Sequence, residues 1–283
     1  MATVTQSNLI HCRVLCGMVA LLCACMGLQE RAVAGNVYDQ PLEVRHVTLK
    51  PDPLDPQVKR NVSCFTYKHF VVKQVDLGEI GADRLSIIPA APGKTPQCRQ
   101  AKERDEYVIP GDSWSGYFEG VKSDYAFFVA ADGTNGGLGF MVFSIADRKK
   151  LFEDTAEKGI EFLEIKDRTL KLRYQRVFTS KCSVVTGGAA CQDLIAEKTG
   201  VSRESFLSCA GSYEAAKEET ARMRCGLKTP GDSSCVEREL KLINEQKWDA
   251  APTVIVYEVE VGLGGESPVI KPLSEVLACR PSD

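Results

Sequence analysis

The sequence predicts an α+β protein that is mainly β: an antiparallel sandwich or barrel-like meander, interrupted by a disulfide-rich helical insert. Three observations predict it. The stretch from Tyr117 to Phe178 holds apolar and aromatic runs, YFEGV, DYAFFVAA, LGFMVFSI and TLKLRYQRVF, separated by polar turns. Phe, Val and Tyr fit a pleated, packed surface. Strong alternation returns at the C-terminal end, where Thr253, Ile255, Tyr257, Val259 and Val261 interleave with Val254, Val256, Glu258 and Glu260. Between these strand-rich stretches, five cysteines fall within residues 182–235, among residues at helical spacing.

Within the meander, Asp132-Gly133-Thr134-Asn135-Gly136-Gly137 separates DYAFFVAA from LGFMVFSI, and Asp-Gly and Asn-Gly supply the positive φ that tight hairpins need. Ala146–Lys150 reads as a further polar turn. Leu170, Leu172 and Tyr174 alternate with Lys171, Arg173 and Gln175, which places the apolar set on one face of a half-solvated strand. One such unit also looks like a β-propeller blade, but the architecture needs several copies at a fixed period and the chain has no second one.

The N-terminal residues 1–34 read as a secretory signal peptide. Arg13 precedes the apolar run Val14–Leu28, and Ala32-Val33-Ala34 offers a small-x-small cleavage site before Gly35. The run is short for a bilayer-spanning helix. A lipoprotein reading, with Cys25 lipidated within Leu22-Cys23-Ala24-Cys25, is disfavoured by the cysteine before Ala24. No other segment is apolar enough to span a membrane. Eight cysteines remain after the leader: Cys64, Cys98, Cys182, Cys191, Cys209, Cys225, Cys235 and Cys279. An even count behind a signal peptide implies a disulfide framework. Nearest-neighbour logic favours Cys64–Cys98 and Cys225–Cys235. A Cys182–Cys279 bridge is expected if the helices interrupt one β domain, and Cys182–Cys191 if they form a unit of their own.

Residues 35–60 form an extended arm broken by Pro41, Pro51, Pro53 and Pro56, with Glu43–Leu49 as a candidate edge strand. Asn61-Val62-Ser63 is a glycosylation sequon. Residues 61–181 make up the β meander domain, beginning with Cys64–Val75 as one strand that contains His69. Leu85–Ile88 and Glu106–Ile109 follow as short strands, and Pro89–Arg104 as a loop. Residues 182–250 are the cysteine-rich insert. Thr186–Ala190 reads as a small-residue linker, Cys191–Lys198 as a helix ending at Gly200, and Ser202 as the cap of a helix running to Arg224. Ser234-x-x-Glu237 reads as a capping box for the last helix, striped by Val236, Leu240 and Ile243. Residues 251–283 supply the closing strands.

The net charge of −3 leaves no basic stripe for nucleic acid and no polybasic membrane patch. Gly111-Asp112-Ser113 and Gly231-Asp232-Ser233 resemble part of the nucleophile motif of GDSL-type hydrolases and of trypsin-like proteases. Both families need a histidine base; GDSL-type hydrolases place it near the C-terminus, where the chain has none after His69, and the glycines expected after a trypsin-like serine are replaced by Trp114 and Ser234. His46 and His69 are too few for a histidine metal site. The insert cysteines lack the closely spaced pairs of zinc knuckles. A glycine-rich loop with Asp132 and Asn135 is a weak calcium candidate that departs from EF-hand spacing. Carboxylate pairs, Glu119 with Asp124, Glu153 with Asp154 and Glu161 with Glu164, are the remaining catalytic candidates. Trp114 and Tyr117, beside Ser113 and Ser115, are binding-surface candidates. The sequence reading is therefore an exported, periplasmic or extracellular, disulfide-bonded binding or structural module of a bacterial cell envelope. It expects no cofactor, no nucleic acid and an unidentified protein or envelope component as partner. A secreted hydrolase using a carboxylate pair is the alternative.

Overall fold

The computed structural model describes residues 38–90, 96–112, 114–166, 168–228 and 233–282. The proposed leader and its cleavage site lie outside the described residues, as do Ser113, Gly231 and Asp232 of the two GDS tripeptides.

The protein is mainly β, and the described residues form two antiparallel sheets and three helices. The first sheet has the order β1 (Glu43–Thr48), β2 (Asn61–Thr66), β3 (Phe70–Asp76), β4 (Arg84–Pro89) and β5 (Tyr107–Val108). The segment expected as one strand from Cys64 to Val75 is a hairpin. Tyr67 N–H donates to the Phe70 carbonyl, Lys68 and His69 form the exposed turn, and Cys64 lies opposite Lys73. No glycine or asparagine marks this turn, so composition concealed it. The predicted edge strand is present as β1, at the margin of the sheet.

The second sheet contains β6 (Gly116–Lys122), β7 (Tyr125–Thr134), β8 (Gly137–Ser144), β9 (Lys149–Ala156), β10 (Glu161–Lys166), β11 (Thr169–Thr179), β12 (Thr253–Leu263), β13 (Val269–Pro272) and β14 (Ala278–Pro281). β6 to β9 form a meander, β9 and β10 share one edge of β11, and β12 pairs β11 over its whole length across the helical insert. The sequence reading passed over β9 and β10. In β9 the inward set is Phe152, Asp154 and Ala156, so a carboxylate interrupts the apolar alternation; in β10 a register shift between Phe162 and Glu164 breaks it.

The unbroken apolar character of β7 and β8 has a physical cause: successive side chains enter different cores. Ala126, Phe128, Met141 and Phe143 pack with Val72, Leu85 and Ile87 of the first sheet. Tyr125, Phe127, Phe140 and Val142 face the other way, joining Leu170, Leu172, Tyr174, Ile255, Tyr257 and Val259. The second sheet is curled, because Phe127 on β7 reaches Phe162 on β10, at 5.2 Å between ring centroids, although those strands are not neighbours. The outer face of the first sheet is covered by the Cys98 segment, tied down by the Cys64–Cys98 disulfide.

The helices are α1 (Val184–Thr199), α2 (Cys209–Lys228) and α3 (Ser233–Glu245). α1 begins at Ser183, whose hydroxyl accepts from the Val185 and Thr186 N–H groups, so the expected linker at Thr186–Ala190 is helical, kinked at Gly188. It stops at Gly200, in the left-handed region at φ 73°. Ser202 opens only a 3-10 turn, Arg203–Phe206, before α2 starts. Ser234 lies within α3, so it is not the cap expected, and Arg238 donates to its hydroxyl. The helices share their core with β11 and β12 through Ile195, Phe206 and Tyr213, and Tyr213 hydrogen-bonds the Thr253 hydroxyl at 2.8 Å.

Cys225 pairs with Cys235 across the α2–α3 connection. Cys182 is bonded to Cys191, not to Cys279; the partner of Cys279 is Cys209. The expected closure of one β domain thus runs through the insert. β11 and β12 are already registered by hydrogen bonds, and the bridge to β14 instead fixes the start of α2 on the sheet.

Candidate ligand cleft

At one end of the curled sheet, four connections converge: Ser123-Asp124 between β6 and β7, Ile145–Arg148 between β8 and β9, the turn at Arg168 between β10 and β11, and Gly264-Gly265 after β12. They enclose a cleft of about 610 Å³ lined by Tyr125, Asp147, Lys149, Lys166 and Arg168, among others. Three non-glycine residues of these turns hold positive φ, Ser123 at 55°, Arg148 at 52° and Arg168 at 63°. Such conformations cost about 1–3 kcal/mol each and gather where structure serves function. Gly264, at φ 129°, is required by proximity: a Cβ there would stand 2.6 Å from the Arg168 carbonyl.

The polar groups of the cleft are fixed by one another. Asp147 accepts from the Ser144 hydroxyl and from Arg168 Nη2, both at 2.9 Å, and the Tyr125 hydroxyl donates to the Arg168 carbonyl at 2.6 Å. Arg168 is therefore held by its side chain and by its backbone. The Ser144 hydrogen bond, with the neighbouring Arg168 and Lys149 charges, outweighs burial and holds the Asp147 carboxyl below its ordinary value. Burial, reinforced by Asp124, pushes the Tyr125 phenol up, so it remains a donor. Lys149 and Lys166 have no ion-pair partner among the described residues. The result is one guanidinium engaged by Asp147 and, beside it and Asp124, two ammonium groups that form no ion pair among the described residues.

This arrangement is suited to binding an anion. Ser144 is buried and donates to Asp147, but a carboxylate held low is a weak base, and among the described residues no histidine lines the cleft to activate a hydroxyl.

The carboxylate pairs of the sequence are separated by strand geometry. Glu153 and Asp154 are consecutive in β9, and their side chains leave opposite faces. Glu153 is exposed with Lys150 as partner, while Asp154 is buried, receiving the Tyr174 hydroxyl at 2.5 Å and Arg176. Glu161 and Glu164 are paired with Arg173 and Lys171. Glu119 is exposed on β6, at a register shift between Phe118 and Gly120, whereas Asp124 lines the cleft. Asp124 and Asp147, from two different turns, are the carboxylates that line this cleft among the described residues. The carboxyls shifted from their ordinary values, Asp52, Glu106, Asp147 and Glu164, are all shifted down, the reverse of what a general acid needs.

The remaining sequence candidates lie elsewhere. Trp114 packs partly buried against the core between the sheets, and its indole N–H has no acceptor among the described residues. Tyr117 accepts from the Gly81 N–H at 3.1 Å, which gives it a structural contact. Asn135 stands in the β7–β8 turn, its amide donating to Thr179, and Arg280 occupies its carbonyl; Asp132 lies exposed on β7. A carbonyl already holding a guanidinium is a poor calcium ligand. His46 bonds Ser63 at 2.9 Å, and His69 lies in the β2–β3 turn rather than within a strand. Among the described residues, no three His, Cys, Asp or Glu side chains converge as a metal site.

Asp124 was a candidate in the sequence, as a partner of Glu119; the other cleft residues were missed because they come from four connections spread across the sequence, two of them flanking strands that went unrecognised. The charged run Ala146–Lys150 was the available signal, and it reads equally as a solvated turn. Compared with known proteins, the chain matches no family model, no curated protein and no solved structure.

Proposed function

We propose that the protein is an exported, disulfide-bonded binding module of the cell envelope, and that its ligand is a small, multiply charged anion seated in the turn-lined cleft. The observation that carries the reading is Arg168, its guanidinium engaged by Asp147 and its carbonyl held by Tyr125, beside Lys149 and Lys166, which form no ion pair among the described residues. A fixed guanidinium with flanking ammonium groups offers directed donors and field to carboxylate or phosphate oxygens. The four disulfides support an oxidising compartment. The leader reading adds export, with Gly35 as the expected N-terminus of the secreted chain by mass spectrometry.

The test is calorimetric titration with pyrophosphate and with citrate as probes. Saturable binding that weakens with salt is expected, and a Lys149→Ala/Lys166→Ala variant should lose at least about tenfold in affinity. Absence of saturable binding by either probe, or binding indifferent to both salt and the lysines, overturns the reading.

A further inference from the structure

A second pocket lies away from the cleft, where the end of β11 meets α1. Its volume is about 340 Å³, at the small end of the roughly 300–1,000 Å³ range of ligand sites. Phe178, Leu194 and Ile195 form its apolar wall, and Thr179, Ser180, Lys181 and Lys198 complete it. Leu194 is 40% exposed, an apolar side chain left facing solvent at a concavity. The two lysines can lay aliphatic stems along such a wall while their heads stay wet. Among the described residues, neither has an ion-pair partner and no carboxylate lines the pocket.

The walls are preformed. The Cys182–Cys191 disulfide clamps α1 to the chain just beyond β11. Ser180 is committed to that corner: its hydroxyl donates to the Cys182 carbonyl and accepts from the Thr253 N–H at 3.0 Å. Ile195 is buried in the shared core. A ligand entering here would meet a rigid apolar surface and two ammonium groups, with no ordering of the site required.

The geometry points to a site for a small amphipathic carboxylate, a medium-chain fatty acid, its chain against Phe178, Leu194 and Ile195 and its carboxylate facing Lys181 and Lys198. The pocket is independent of the anion cleft, with which it shares no residue. The apolar wall selects a hydrocarbon, the paired cations select a single negative head, and the absence of a lining carboxylate leaves that head unopposed.

The experiment titrates the oxidised full chain with decanoate, below its micelle threshold, and with decan-1-ol, which keeps the chain and removes the charge. One saturable site for decanoate is expected. A Lys181→Met/Lys198→Met variant, keeping apolar stems, should bind decanoate about tenfold more weakly, from two surface ion pairs of about threefold each. Decanol binding should be unchanged by that double variant. Leu194→Glu, a surface change, should abolish decanoate binding, and Lys149→Ala/Lys166→Ala in the cleft should leave it intact. Near-UV circular dichroism checks the fold of each variant, and the single lysine variants, at about threefold each, serve if the double variant does not fold. Non-saturable decanoate binding, binding indifferent to the Lys181 and Lys198 changes or to Leu194→Glu, or binding lost with the cleft lysines overturns the assignment.

Discussion

Replacing Lys73 by Met should remove a large share of the protein's stability and reshape its pH dependence. Lys73 lies on β3 with no exposed surface, and its ammonium donates to Glu106 at 2.6 Å and to the Ala101 carbonyl at 3.0 Å. Glu106 also accepts from the Ser86 hydroxyl and the Glu103 N–H, both at 2.7 Å. Removing one partner of a buried ion pair costs about 3–5 kcal/mol, and the low end applies here, because Glu106 keeps a second cation, Arg84, whose Nε lies 3.5 Å away on a quarter-exposed side chain. The sign with pH follows from the carboxyl. In the wild-type protein, burial pushes it up, but the hydrogen bonds from Lys73, Glu103 and Ser86 outweigh burial and hold it below its ordinary value of 4.5. Its contribution is therefore present above that value and is lost as pH falls through the lower folded-state value. In Lys73→Met, burial is no longer opposed by the ammonium, so the carboxyl moves up. The variant's deficit is then full at about pH 7 and shrinks as pH falls, since the neutral acid is not penalised. Urea denaturation of both proteins at about pH 7 and about pH 4.5 reads this directly. Lys73→Met/Glu106→Gln should recover most of the loss, since the one charge remaining there, Arg84, is on a quarter-exposed side chain that water can reach. A deficit below about 1 kcal/mol at neutral pH, or one constant with pH, would refute the reasoning.

Two further expectations rest on topology and close approach. Removing the Cys209–Cys279 bridge with Ser at both positions should cost about 4 kcal/mol by denaturation, against about 2.6 kcal/mol for Cys182–Cys191, because the closed loops span 70 and 9 residues; the reverse order would show that native-state packing, not chain entropy, governs these links. Gly116→Ala should destabilise by more than the few tenths typical of a surface change, since its Cβ would stand 1.9 Å from the Val129 carbonyl oxygen in the neighbouring strand; an unshifted urea midpoint would show that β6 moves freely at that edge.

What the sequence determined by itself was local. The alternation of Thr253–Val261, the Asn135-Gly136 turn, the stop at Gly200 and the clustering of cysteines are statements about neighbours along the chain, and backbone sterics and side-chain periodicity are legible there. The β composition and the disulfide-rich helical insert follow from them. The tertiary structure decided everything that needed a partner distant in sequence. Asp154 could enter a buried position of β9 because Tyr174 and Arg176 of β11 meet it, so a strand that reads as charged surface is half core. Cys279 found Cys209 rather than Cys182 because β12 stands between β14 and the end of β11, with Ile255 opposite both Phe178 and Cys279, whereas the helix that begins at Cys209 packs directly on β14. The cleft shows the same physics: Ser123, Asp147, Arg168 and Gly264 belong to four separate connections, and only the curling of one sheet brings their turns to a common mouth. Single-residue preferences carry the hairpins; the convergence of hairpins is a property of packing, which no local pattern encodes.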